Sequence, residues 1–439
     1  MIVRFTRYCS WSTIILALFS LALTATLGWF FLTSGGGRQL LDLSPAWRKW
    51  RPYLGWEKSV TYLVLFQNSA ELRPTGGFWG SYAVVSLSRG KLLSFSTDDI
   101  YNLDKNVAGS SVMPLPPAPL KQYLKVQRWY LRDANWSPDF PTTAKLALDF
   151  YQREGGTEQF DGVIAITPEI VSRLLKLLGT IEIDGQLFTS EQAIEQLQYY
   201  VQLGYREDGV PRPSRKSILQ PLAQEIVRRL IDKPPSVWLN VLTIIEESLE
   251  RRDIQTYFTD QVLQQEIAKE PWGGAIRETA GDYLMVVDAN LNALKSDPKV
   301  KREIEYTLER SAGETIATVK IRYRHTATQG DWRTSPYRTY MRVFVPDGSE
   351  LILSDNKIIV ESENGKTVFG FYHVVSLGET REIVLRYRLP SALLSQPYTL
   401  LVQRQAGTAN YPLTVRLLKE RKELRLWQSL LNQDQEFRL

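Results

Sequence analysis

Cysteine is all but absent: Cys9 is the only one in 439 residues. The body of the chain therefore has no disulfide and no thiol chemistry, and packing must stabilise it. Histidine is nearly as scarce. The two present, His325 and His373, lie late in the chain, and each reads as an ordinary strand residue. With none before them, Ser-His-Asp, Cys-His and His-bearing zinc chemistry are excluded from residues 1–300. There is no Walker loop and no GxGxxG after a strand, which disfavours nucleotide binding. The net charge of +5 is thinly spread and lacks the basic stripe of a nucleic-acid binder. It suits an anionic membrane surface or glycopolymer. Long apolar runs are missing as well, with a single exception at the N-terminus.

That exception is Trp11 to Leu32 (WSTIILALFSLALTATLGWFFL), which carries no charge. At about 1.5 Å per residue it can cross a hydrocarbon core of roughly 30 Å. Arg4 and Arg7 precede it, so the positive-inside rule leaves the short N-terminus in the cytoplasm. Trp11, Trp29 and Phe30 mark its ends as an aromatic belt would. A cleaved signal peptide needs a shorter apolar stretch and a small-residue cleavage site; here bulky Trp29-Phe30-Phe31-Leu32 follows instead. The reading is an uncleaved anchor in the cytoplasmic (inner) membrane, with the bilayer as a partner and the body outside the cytoplasm.

Apolar content of 44% with 23% charged residues is that of a globular chain with real cores. Asp42 to Leu54 mixes Trp47, Trp50 and Tyr53 with Arg48, Lys49 and Arg51. It is either an interfacial helix or the first helix of the folded body. Tyr62–Phe66, Tyr82–Leu87 and Leu92–Phe95 read as strands, and the Pro-rich Ser110–Pro119 as a loop. Pro141-Thr142-Thr143 opens a helix, and Asp161–Ile166 is a buried strand. Thr167-Pro168-Glu169 begins a second helix that Gly179 ends. Ile181–Ile183 is a short strand, and Thr189–Gln192 a capping box. This alternation predicts an α/β layered domain. After residue 300 the period becomes 2, as in Val319, Ile321 and Tyr323, or Leu413, Val415 and Leu417. About eight such strands read as an immunoglobulin-like β-sandwich. The leucines and Trp427 between Glu420 and Leu439 suggest an amphipathic helix. The expected organisation is a cytoplasmic tail over 1–10, an anchor over 11–32, a juxtamembrane segment over 33–57, an α/β domain over 58–300, a β-sandwich over 301–418 and an amphipathic tail over 419–439.

Three constellations carry candidate chemistry. At the end of the first strand, Asn68-Ser69-Ala70-Glu71-Leu72-Arg73-Pro74-Thr75-Gly76-Gly77-Phe78 would sit at the carboxyl edge of a sheet. Gly76 and Gly77 would let backbone amides approach an anion that Arg73 binds bidentately; a Glu71–Arg73 ion pair bracing the loop is the bland alternative. Asp98 and Asp99 could hold Mg²⁺ or Ca²⁺, although successive strand residues point to opposite faces; capping a loop is the alternative. Arg206, Arg212, Arg215 and Lys216 lead into a helix expected near Ser217, an arrangement suited to an anion; the alternative is a solvated basic loop.

Leu65–Phe78, Gly80–Tyr82, Ala134–Pro141, Phe160–Ile166 and Val287–Leu291 resemble a bacterial family of unknown function, domain of unknown function four-thousand-and-twelve. The resemblance runs from about residue 58 to beyond 345 and implies an anchored, extracytoplasmic protein of unassigned activity; Asn68, Glu71, Asn135 and Asp139, which stand in these motifs, are polar site candidates. The order of elements is also similar to the LytR-CpsA-Psr envelope transferases. That similarity implies a polyprenyl-phosphate-linked glycan or cell-wall polymer as ligand, a glycopolymer phosphotransferase-like activity, and pyrophosphate contacts at Arg212 and Arg215. The chain departs from that superfamily at its metal positions, where it offers Asn68, Glu71 and Gly77-Phe78, and after the third strand, where it has Thr97-Asp98-Asp99. The expectation is an envelope protein that binds a phosphate-bearing, lipid-linked glycan, with a non-enzymatic scaffold or adhesion protein as the rival.

Overall fold

The computed structural model describes residues 51–199, 219–311, 313–394 and 398–438. The expected tail and anchor over 1–32, most of the juxtamembrane segment, and Arg206, Arg212, Arg215 and Lys216 lie outside the described residues. Among the described residues no helix is long and apolar enough to cross a membrane. Two compact units emerge, each assembled from separated stretches. Unit 1 runs to residue 67 and adds 79–108 and 148–273; unit 2 takes 68–78, 109–147 and 274–439. The expected single boundary near 300 is thereby corrected: the chain passes between the units repeatedly.

The sheet of unit 1 has the order β3-β2-β1-β4-β7. Its strands are β1 (Val60–Asn68), β2 (Phe78–Ser88), β3 (Lys91–Asp99), β4 (Gly162–Ile166) and β7 (Ile254–Phe258). The small hairpin of β5 (Ile181–Ile183) and β6 (Gln186–Phe188) stands apart from it. β1 and β4 pair in parallel from Tyr62 opposite Gly162 to Phe66 opposite Ile166. The β2–β3 and β4–β7 pairs are antiparallel. The described residues also form seven α-helices: α1 (Ile100–Asn106), α2 (Phe140–Arg153), α3 (Glu169–Leu178), α4 (Ala193–Tyr199), α5 (Leu219–Ile231), α6 (Pro235–Glu250) and α7 (Gln261–Ile267). The unit boundary falls within α2.

α3 illustrates how sequence makes these elements. Pro168 precedes it, and Gly179 ends it with φ 81, a left-handed conformation that glycine reaches without strain. Its apolar face, Ile170, Val171, Leu174, Leu175 and Leu178, is buried in a core shared with Tyr62, Val64, Ala83 and Val85. Each such side chain contributes about 1.5–3 kcal/mol, so the packed face rather than helix propensity holds α3 in place. The described end of the juxtamembrane segment, Arg51–Leu54, is a short 3-10 turn with Tyr53 and Leu54 buried. Tyr53 lies 4.4 Å from the Phe258 ring. That end is part of the folded body.

Unit 2 is a sandwich of two six-stranded sheets around one core. The first runs β12-β15-β10-β9-β17-β18, made of β9 (Val300–Ser311), β10 (Glu314–His325), β12 (Glu350–Ser354), β15 (Thr380–Arg388), β17 (Tyr411–Lys419) and β18 (Lys422–Leu431). The second runs β13-β14-β11-β8-β16-β19, made of β8 (Asp282–Asn290), β11 (Tyr337–Pro346), β13 (Ile359–Glu363), β14 (Lys366–Val375), β16 (Thr399–Val402) and β19 (Gln435–Arg438). The β-sandwich therefore begins before 300, with β8 near its middle. Two pairings are parallel, β9–β17 and β8–β16; an immunoglobulin domain has about seven to nine antiparallel strands. Both histidines are strand residues, in β10 and β14.

The expected helix over 419–439 is not formed. Glu420 and Arg421, at φ 48 and 66, make a tight turn, and the chain returns as β18 alongside β17 and then as β19 alongside β16. Leu431 and Phe437 join the core. Two core anchors on successive strands outweigh an amphipathic pattern that also fits a helix.

Candidate functional site

Three of the stretches that carry the family resemblance, 68–78, 134–141 and 287–291, belong to unit 2. Leaving β1, residues 68–78 fold onto β8: Asn290 N–H donates to the Leu72 carbonyl at 2.9 Å, and Leu72 N–H donates to Asp297 at 3.1 Å. Arg73 is only 3% exposed. Its guanidinium donates to the carbonyls of Asn290 and Leu72 and to Glu71 at 3.1 Å, and it lies 3.5 Å from Asp133. Phe78 places its ring centroid 5.2 Å from the same guanidinium. The expectation of Arg73 as an anion contact is corrected by this geometry. Buried acceptors within the unit hold the charge, and the Glu71–Arg73 brace is what forms. Burial pushes the Glu71 carboxyl above its ordinary value, with Arg73 working against that rise.

The glycines serve close packing rather than an open amide cradle. Gly76 N–H donates to the Arg73 carbonyl at 2.8 Å. A Cβ at Gly77 would lie 2.4 Å from the Asn68 carbonyl carbon, and one at Gly407 would lie 1.9 Å from the Gly76 oxygen. Asn135, fully buried, donates to Thr75 Oγ1 at 3.0 Å and to the Gly77 carbonyl at 2.8 Å. Asn68 Oδ1 accepts from Ala70 N–H at 3.2 Å. Asp139 accepts from Thr142 N–H at 3.0 Å, which starts α2, and from Ile276 N–H at 2.9 Å. These four polar candidates are thus brought to one unit, where they act on its interior.

Two residues that the sequence did not single out complete the cluster. Asp288, fully buried in β8, is paired with Arg302 and accepts from Tyr323 Oη and Thr339 Oγ1. Gln405 donates to the carbonyls of Asp288 at 2.7 Å and Arg73 at 3.3 Å, and accepts from Asp288 N–H. Asp288 stands within the Val287–Leu291 motif, so its place in the sequence was visible. Its partners, from β9, β10, β11 and the stretch after β16, were not.

In unit 1, Asp161 pins strand register by accepting from Thr61 N–H at 2.9 Å and Lys58 Nζ at 2.8 Å. Asp98 and Asp99 do the work of a cap: Asp99 accepts from Tyr101 N–H at 3.2 Å, and Asp98 from Asn102 Nδ2 at 2.6 Å. Among the described residues no group of three or more His, Cys, Asp or Glu is arranged to hold a metal ion. Whether Arg212, Arg215 and Lys216 approach any of this falls outside the described residues.

The motif-bearing stretch of the chain is also where a known family matches. Residues 57–201 match the family described as protein of unknown function DUF4012. That span holds the motifs up to Ile166, while Val287–Leu291 lies beyond it. No curated protein matches the chain. Among solved structures, a protein of Streptococcus agalactiae is 13% identical with a TM-score of 0.30, covering 48% of this chain and 75% of its own. A Legionella pneumophila protein described as nutrient-binding is 10% identical with a TM-score of 0.20, covering 31% of this chain and 54% of its own. Likeness at that level carries no argument. The DUF4012 stretch straddles both units, contributing β1 to β6 and, in unit 2, residues 68–78 and 109–147.

Proposed function

We propose that the chain is a membrane-anchored, extracytoplasmic scaffold of the cell envelope, whose body presents surfaces instead of a reaction centre. The observation that carries this reading is the engagement of Arg73: the one arginine of the densest motif is turned inward onto Asn290, Glu71 and Asp133. Asn135, Asp139 and Asp161 likewise act as internal hydrogen-bonding struts. The uncharged run over 11–32, preceded by Arg4 and Arg7, supports the anchor, and a body without cysteine is consistent with that topology. The similarity of element order to the LytR-CpsA-Psr enzymes then reflects architecture without the chemistry, since fold and function separate readily.

A second reading is favoured by Arg206, Arg212, Arg215 and Lys216, close together in the sequence ahead of α5: these residues bind the phosphate of a polyprenyl-linked glycan. Both readings are tested on the full chain extracted from membranes. A reporter active only in the cytoplasm, fused after Leu439, is silent if the topology holds; activity there overturns it. Mass spectrometry of the extract recovers no stoichiometric polyprenyl phosphate on the scaffold reading. A glycolipid that is recovered, and is lost in Arg212→Ala with Arg215→Ala, establishes the second reading.

A further inference from the structure

We infer that the free end of the β17–β18 hairpin docks on an anionic lipid surface. β18 is an edge strand, and its first five residues, Lys422 to Leu426, are all exposed, so neither face of this half-strand is covered by the described residues. Leu424, Leu426 and Leu430 are 52%, 42% and 51% exposed, which puts three open leucines within seven residues of one strand. Leu426 and Leu430 lie on the same side of the pleat, and Leu424 stands beside them as the unpaired residue of a bulge, where the register shifts between Glu423 and Arg425.

The charge around these leucines selects the partner. Lys419, Arg421, Lys422 and Arg425 are exposed, and none is in an ion pair with a described carboxylate. Of the two acids in the same stretch, Glu423 is held by Arg416 at 3.0 Å. Leucines flanked by free cations match a bilayer surface, where the alkyl groups enter the headgroup–acyl boundary and the cations meet anionic headgroups. A protein groove would satisfy the leucines but gives no reason for four unpaired cations. The inference stands apart from the anchor, since it uses only residues of unit 2.

The test uses the full chain with Cys9→Ser and Leu424→Cys, labelled at 424 with an environment-sensitive fluorophore. It is reconstituted with brominated vesicles of phosphatidylcholine alone or with phosphatidylglycerol added. Recovery of the chain with either vesicle reports the anchor; quenching of the label reports the hairpin. Quenching is expected only with phosphatidylglycerol, relieved by 1 M salt, where the screening length is about 3 Å. Each of Lys422→Gln and Arg425→Gln should weaken the response roughly fivefold. Equal quenching in both vesicles, or none with phosphatidylglycerol, overturns the inference. So does protection of the label by polyglutamate without lipid quenching, which would assign the hairpin to an acidic polymer.

Discussion

Asp282, at the start of β8, accepts hydrogen bonds from the hydroxyls of Tyr306 and Tyr398 and from Tyr283 N–H inside the sandwich core. Burial raises its carboxyl to about 6, and the tyrosine bonds only partly offset this. The folded state thus binds this proton more tightly than the unfolded chain. Its contribution is full below the ordinary carboxylate value near 3.8 and is lost as pH rises through about 6. His373 has the opposite sign. Burial first, then Arg381 and Arg302, lower it to about 3, so the neutral ring is favoured. Its contribution is present above 6.5 and is lost as pH falls toward 3. Urea unfolding at stepped pH should therefore show the wild type gaining on Asp282→Asn from pH 8 to pH 5, and losing ground to His373→Phe from pH 6.5 to pH 4. Parallel curves for either pair would contradict the assignment. The Asp282 effect was not readable from sequence, because Asp282 opens an ordinary strand while Tyr306 stands on β9 and Tyr398 just ahead of β16.

At the scale of elements, legibility followed how many structures a pattern could fit. The run Tyr62–Phe66 is short, apolar and rich in strand formers, and it is β1. The Pro-to-Gly bracket around α3 was equally plain. The strand β8 was not read as a strand at all: buried along its whole length, it shows no alternation, and its residues fell within the span 58–300 given to the α/β domain. The C-terminal error has a different cause. Leu424, Trp427 and Leu431 suit helical spacing, while the turn that makes them a strand is built from Glu420 and Arg421, with no glycine or asparagine to mark it. Deleting residues 420–439 separates the two views. A surface tail would be dispensable; loss of β18 and β19 removes Leu431 and Phe437 from the core, and each large-to-small core truncation costs about 2–5 kcal/mol. Thermal unfolding of the truncated full chain should show a large drop in midpoint or no cooperative transition.

For the whole molecule, the interleaving of the units matters most. A fragment beginning at 301 lacks β8, which stands between β11 and β16 in its sheet, and even one beginning at 274 lacks 68–78 and 109–147. Neither fragment should unfold cooperatively when expressed alone, as judged by circular dichroism; a cooperative, all-β transition from residue 301 onward would restore the linear domain order. The polar candidates were legible as residue types in dense motifs. Their direction was not, because it depends on the chain leaving β1 for unit 2 and on Asn290, Asp133 and Gln405 arriving from far along the sequence. Arg73 is the point where these pieces join, so it tests the account most directly. In Arg73→Ala, urea unfolding and recovery of phosphate-bearing lipid from the same preparation are measured together. The account predicts a loss of about 3–5 kcal/mol, the scale of breaking a buried ion pair, with no change in bound lipid. Unchanged stability together with the loss of a bound phosphate ligand would contradict it.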